Sequence, residues 1–175
     1  ITISQNTELA DIAALSALTG GDSCNLDVFD NDALTSLAGL QGLTRSNNTS
    51  ISNNSGLESL AGLENMDRAN WVSIYNNANL TDLSALTNLR AQRLTLYGLD
   101  SLQNFTEGVG LTGMRIDDGL NIGDSSWGGN PQLTSLNGLT DLTLNYTNNC
   151  TLEIYGNAVL SDISALGHAG TDLTD

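Results

Sequence analysis

The feature that most constrains this chain is a repeat. Leu-Asp-Val-Phe-Asp-Asn-Asp-Ala-Leu-Thr-Ser-Leu-Ala-Gly-Leu begins at Leu26. Val-Ser-Ile-Tyr-Asn-Asn-Ala-Asn-Leu-Thr-Asp-Leu-Ser-Ala-Leu begins at Val72. Both show two apolar residues two apart, then Asn, then leucines at every third position. Seven copies align, with first apolar positions at Ile1, Leu26, Thr49, Val72, Leu94, Leu120 and Leu152. The gaps are 25, 23, 23, 22, 26 and 32 residues, the last two lengthened by insertions within 103–130 and 140–150. A fixed period of this length is the mark of a solenoid, in which no single coil can bury its own apolar side chains and stacked coils can.

Each part of the frame has a physical reading. The apolar pairs (Ile1/Ile3, Leu26/Val28, Val72/Ile74, Leu94/Leu96, Leu152/Ile154) have period two, so each is a short strand with one buried face. Three residues later stands Asn6, Asn31, Asn54, Asn77 or Asn157, and Asn130 takes the same role after an insertion. An Asn there can turn the chain and give its amide to the backbone of the neighbouring coil. The leucines that follow, such as Leu34, Leu37, Leu40 and Leu43, are too closely spaced for an amphipathic α-helix and suit 3₁₀ turns or an extended return path. With one coil per strand spacing, about 4.8 Å, seven coils predict a rod roughly 34 Å long. The expected fold is mainly β, a right-handed β-solenoid of about seven coils with short parallel strands and little helix, one domain over 1–175 with an irregular region at about 103–130.

The frame Leu-x-Ile-x-x-Asn-x-x-Leu, continued by Leu-x-x-Leu-x-x-Leu, resembles the leucine-rich-repeat-like solenoids of the receptor L-domain type, and Asn130-Pro131-Gln132-Leu133-Thr134-Ser135-Leu136 is similar to that family's turn. The resemblance covers nearly the whole chain. It implies an extracellular or cell-surface module that binds proteins or glycans or supports a structure, with no catalytic motif to carry over. Two positions depart from the pattern: Leu99 stands where Asn is expected, and Thr49 where an aliphatic is expected.

Composition narrows the partners. The chain has 20 acidic and 5 basic residues, a formal charge of −15, and all five basic residues are arginines. That balance argues against nucleic acid, which needs cationic neutralisation, and against anionic lipid. No apolar run approaches the roughly 18 residues of a membrane span. No secretion signal is visible at the start, so one would already have been removed.

Little in the sequence carries catalytic chemistry. The single His168 lies among small residues near Asp162 and Ser164 and reads as a solvated loop histidine. Gly108-Val109-Gly110-Leu111-Thr112-Gly113 fits G-x-G-x-x-G but lacks the strand–helix context of a dinucleotide site. The groups Asp27, Asp30, Asp32 and Asp117, Asp118, Asp124 could offer oxygen ligands to calcium, without EF-hand spacing. No metal, cofactor or enzymatic activity is expected. Cys24 and Cys150 hold the same phase of the repeat five coils apart, roughly 24 Å, too far for a disulfide, so they read as two buried free thiols or, alternatively, as partners for another chain. Glycosylation acceptors occur at Asn47, Asn48, Asn53, Asn79, Asn104, Asn145 and Asn149, and in a eukaryotic secretory source some would carry glycans.

Two readings of function follow. If the pairs point inward, one outward column reads Ser4, Phe29, Ser52, Tyr75, Tyr97, Gly123 and Tyr155, beside Thr2, Asp27, Ser50, Ser73, Thr95, Asn121 and Glu153. Phe29, Tyr75, Tyr97 and Tyr155 would then form an exposed contact face for a protein or glycan, or simply reflect the strand preference of aromatic residues. The ends offer the other reading. A further copy placed after Asp175 would put its first apolar residue 176 − 152 = 24 positions beyond Leu152, within the native period. The chain could be cut from a longer repeat protein, close with short irregular caps, or stack head to tail with copies of itself. The expected function is a non-enzymatic extracellular structural protein assembling end to end into a surface filament or scaffold. The alternative is a cell-surface adhesion or ligand-binding module using the strand face.

Overall fold

A computed structural model shows a mainly β chain wound as a parallel-stranded β-solenoid of about five turns with almost no helix. The structure describes residues 1–175 except 22, 88, 106–110, 112, 140–141, 145–149, 169 and 172–175. The strands are β1 (Thr2–Ser4), β2 (Leu26–Phe29), β3 (Arg45–Ser52), β4 (Arg68–Tyr75), β5 (Arg90–Tyr97), β6 (Arg115–Ile122), β7 (Thr143–Leu144), β8 (Thr151–Ile154) and β9 (Gly170–Thr171). They form one parallel sheet in the order β1-β2-β3-β4-β5-β6-β7-β9, with β8 also pairing β6. The second insertion splits what would be one strand into β7 and β8.

The repeat frame is the pairing register. Leu26 faces Thr49, then Val72, Leu94, Leu120 and Leu152 in successive strands. The central strands begin earlier than the apolar pairs suggest. In β3, β4 and β5 the buried residues Ser46, Ala69 and Ala91 lie three positions, not two, before Thr49, Val72 and Leu94. Two consecutive outward residues therefore sit between two inward ones, and the strand bends there. In β6 the same stretch holds one more residue, and the register shifts between Ala91 and Arg93. Small side chains at the extra inward positions hide this half of the strand from an aliphatic search.

Period three has a direct cause. Leu34, Leu40 and Leu43 donate their N–H groups to the carbonyls of Asn31, Leu37 and Leu40, and Leu80, Leu86 and Leu89 do the same to Asn77, Leu83 and Leu86. Each bond closes an i→i+3 turn, so every third side chain returns to the interior, and all of these leucines are buried. Among the described residues, Ala13–Leu15, Ser84–Leu86 and Ser164–His168 are 3₁₀ helix outright.

The two departures from the repeat are accommodated locally. Thr49 is buried, and its hydroxyl pairs with that of Ser46 at 2.7 Å, so the polar atoms satisfy each other inside the core. Leu99 is fully buried in the row where the other turns carry Asn. Within 103–130, β6 pairs with β5 on both sides of that register shift, and residues 124–128 form a short projecting loop. Neither cysteine is in a disulfide. Cys150 is buried, but Cys24 is exposed, contrary to the expectation of two buried thiols. Cys24 precedes β2, which spans four residues where β3 to β6 span eight, and Ser23 to Asn25 lie open to solvent ahead of it.

Candidate binding face

The parallel register sets like positions of successive turns side by side. Phe29, Ser52, Tyr75 and Tyr97 are direct register partners. The Tyr75 and Tyr97 rings stack with centroids 4.9 Å apart and an interplanar angle of 10°. Beyond Tyr97 the column passes through Gly123 to Tyr155, since Gly123 N–H donates to the Leu96 carbonyl and Tyr155 N–H to that of Ile122. Gly123 has φ +96, and a Cβ there would overlap the Tyr155 carbonyl oxygen, so the position admits no ring. Tyr155 is 42% exposed, while Tyr75 and Tyr97 are half-buried against each other. The residue after each column member except Gly123 (Gln5, Asp30, Asn53, Asn76, Gly98, Gly156) is left-handed, which turns the chain sharply off the sheet.

The loop 124–128 stands beside this column. Asp124 and Gly128 exchange two backbone hydrogen bonds, and Asp124 Oδ1 accepts from the N–H groups of Ser126 (2.7 Å) and Trp127 (2.9 Å). Gly98 N–H donates to the Gly129 carbonyl, which ties the loop base to the turn after Tyr97. Trp127 at its tip is 78% exposed. The Tyr97 phenol is raised above its usual 10.0, first by burial, then by Tyr75 and the Asp124 carboxylate. Flanking the rings runs the polar column from Thr2 to Glu153, in which Asn121 Nδ2 donates to Glu153 Oε2 at 2.8 Å. Flat rings bordered by hydroxyls, amides and carboxylates can bind a sugar ring or an amphipathic side chain. Trp127 escaped the sequence reading because it lies in an insertion outside the repeat. The signal was Asp124 three residues before it, followed by Gly128, a turn that presents its third residue.

The asparagines form the structural spine of this edge. Asn31 accepts at Oδ1 from Asn6 N–H, Asn54 from Asn31 N–H, and Asn77 from Asn54 N–H. Their Nδ2 groups donate to two carbonyls, one in their own turn and one in the preceding turn: Asn54 to Ser52 and Val28, Asn77 to Tyr75 and Ile51. Asn130 and Asn157 continue the pattern, Asn130 N–H donating to Asn157 Oδ1 at 2.8 Å. Asn31, Asn54, Asn77 and Asn130 are fully buried.

The remaining sequence candidates are scattered. Asn53 and Asn79 are exposed, and Asn48 and Asn104 are half-buried. Asn47 is held between Asn25 and Asn70 side chains. Asn145 and Asn149 lie outside the described residues, as do most of 108–113 and the His168 side chain. The described chain after that glycine stretch runs into a strand, β6, where a dinucleotide site would need a helix. Among the described residues no three of His, Cys, Asp and Glu gather closely enough to hold a metal ion. Among the described residues no helix is long and apolar enough to cross a membrane.

A second surface was not anticipated. Arg45, Arg68, Arg90 and Arg115 are register partners at the starts of β3 to β6. Arg93 follows one position before Leu94, beside the exposed Trp71. Arg45 lies 3.4 Å from Asp67, and Asp117 lies between Arg90 (3.4 Å) and Arg115 (3.0 Å). The signal was present: arginine recurs four residues before Thr49, Val72 and Leu94, and five before Leu120.

No protein-family model, no curated protein and no solved structure matches the chain.

Proposed function

We infer that this chain is a non-enzymatic extracellular recognition module, a right-handed leucine-rich-repeat-like solenoid of seven coils that binds a glycan or protein through its strand face. The Tyr75–Tyr97 stack carries the reading. Two aligned aromatic residues in one outward column can arise from strand preference alone. Rings fixed face to face, with Tyr155 beyond Gly123 in the same column and Trp127 held 78% exposed on a loop tied to the same edge, leave apolar surface uncovered next to polar groups. Right-handed winding follows from the general preference of parallel crossovers. The test is a glycan array and a surface-protein screen with the intact chain, followed by Tyr75→Ala/Tyr97→Ala. Loss of the partner with unchanged circular dichroism supports the reading, and retained binding overturns it.

A second reading, an end-to-end scaffold, is favoured by the outermost turns. Ile1 is 36% exposed in one, and Val159 and Ile163 are 48% and 54% exposed in the other. Further turns of the same polypeptide or neighbouring copies would cover these side chains equally well. Sedimentation at rising concentration separates them: open-ended association supports stacking of copies, and a monomer at all concentrations removes it.

A further inference from the structure

In a chain of net charge −15, all of the positive side chains lie on the first halves and bends of β3 to β6. Four of them are direct register neighbours, although like charges facing each other across adjacent strands destabilise a sheet. Sheet stability therefore does not account for the row. Its carboxylates are unevenly shared: Asp67 lies 3.4 Å from Arg45, Asp117 serves both Arg90 and Arg115, and Arg68 makes no ion pair among the described residues. Arg68 and Arg90 border a shallow polar groove with Ala69, Asn70, Ala91, Gln92 and the Asp117 carboxylate, which an incoming anion would have to displace from Arg90. Ala69 and Ala91 turn inward to the core, so the outer wall is the Asn70 and Gln92 amides, and the exposed Arg68 guanidinium has room to meet a planar or tetrahedral anion.

Guanidinium is the side chain suited to bidentate contact with carboxylate or sulfate. One such group per turn makes a track with a translational period of about 4.8 Å. A globular partner has no use for that period, whereas an extended polymer with an anion on each unit does. A second copy of the chain would have to present an acidic row at the same spacing. The outward columns described above, with Thr2, Asp27, Ser50, Ser73 and Thr95 in one and Phe29, Ser52, Tyr75 and Tyr97 in the other, offer none. A nucleic acid would bring denser phosphate charge against a strongly negative protein. A cationic stripe can still act locally, because charges beyond the Debye length of about 8 Å are screened at physiological salt.

We propose that the Arg45–Arg68–Arg90–Arg115 row binds a linear polysaccharide carrying a carboxylate or sulfate ester on each unit, laid across the strands and anchored at the groove between Arg68 and Arg90. This site is separate from the tyrosine face and stands or falls independently of it.

The experiment is affinity electrophoresis and titration calorimetry of the intact chain with polygalacturonate, dextran sulfate, neutral dextran and duplex DNA. Binding to polygalacturonate or dextran sulfate but not to neutral dextran is expected. The polymer preferred identifies which anion is read. Raising the salt toward molar concentration should weaken binding on the order of tenfold or more. Arg68→Gln/Arg90→Gln, both at exposed positions, should weaken it about tenfold with the circular dichroism unchanged. Absence of binding to either polyanion at low salt overturns the proposal. So does equal binding of neutral dextran or of DNA, unchanged affinity in the double variant, or a variant whose only effect is on self-association.

Discussion

The backbone N–H of Leu99 donates to Oδ1 of Asn130 at 3.1 Å, across 31 residues of chain. The acceptor that the next turn offers is thus kept even where the donor residue has lost its own amide. The asparagine row does not need every member, but each member present serves several neighbours. Asn54 shows what one is worth. Removing its side chain strips the Asn31 N–H of an acceptor and the Val28 and Ser52 carbonyls of a donor, all in the interior. Buried groups left unpaired cost roughly 1–3 kcal/mol each, partly offset by relaxation. Asn54→Ala should therefore lower unfolding stability by about 3 kcal/mol or more. Asn6→Ala, at an exposed position, should cost under about 1 kcal/mol. Urea denaturation of the pair checks the contrast; equal losses would mean that the row contributes no burial-dependent energy.

Turn geometry provides a second test. Gly62 has φ +114, and a Cβ there would fall on the Leu37 carbonyl. Strain and overlap act together, so Gly62→Ala should destabilise on the order of 3 kcal/mol. Gly128, at φ +95 with open space around it, suffers strain alone, and Gly128→Ala should cost about 1 kcal/mol. Gly21 has neither burden, and its alanine variant should be close to neutral. Thermal melts of the three variants should keep that order.

These contrasts show which parts of the molecule were legible in the sequence. Leucines at Leu34, Leu37, Leu40 and Leu43 point to stacked turns because only an i→i+3 return places every third side chain inside. The inward pair Val72/Ile74 likewise marks half of β4. The other half was hidden, because its inward residue is Ala69 and the bend places it three positions before Val72, breaking the alternation that marks a strand. Arg68 becomes a sheet residue only once that bend is known, so the arginine row could not be placed although its spacing was visible. The overall acidic charge concealed it further, since a net value carries no information about position. Trp127 was missed for a different reason: an insertion has no repeat neighbour to predict it.

The tyrosine stack makes a pH prediction. Burial, Tyr75 and Asp124 all raise the Tyr97 phenol above 10.0. A group with a raised folded-state value contributes stability that is fully present below its unfolded value and is lost as pH rises through the folded one. Stability should therefore hold up to about pH 10 and decline above it, and Tyr97→Phe should flatten that decline. Tyr75→Ala opens the neighbour to solvent and removes one repelling group, so the Tyr97 titration should move down toward its usual value. Tyrosinate absorbance in alkaline titration follows the ionisation, and denaturant melts on either side of pH 10 follow the stability.

Asp117 tests the arginine row from within. Its carboxylate lies 3.0 Å from the Arg115 guanidinium and 3.4 Å from that of Arg90, with its side chain 21% exposed and the arginine side chains 42% and 47% exposed. Ion pairs this open contribute about 1 kcal/mol or less, so Asp117→Asn should have a small effect on stability. Its effect on binding has the opposite sign. The carboxylate occupies donors that an external anion would use and repels that anion as well. Asp117→Asn should therefore raise affinity for the preferred polyanion several-fold and steepen its salt dependence. Calorimetry beside Arg68→Gln/Arg90→Gln gives the comparison, because the two variants should move affinity in opposite directions if Asp117 competes with the ligand for the row. A weaker complex in both would mean that Asp117 holds the arginines in place more than it competes with the ligand.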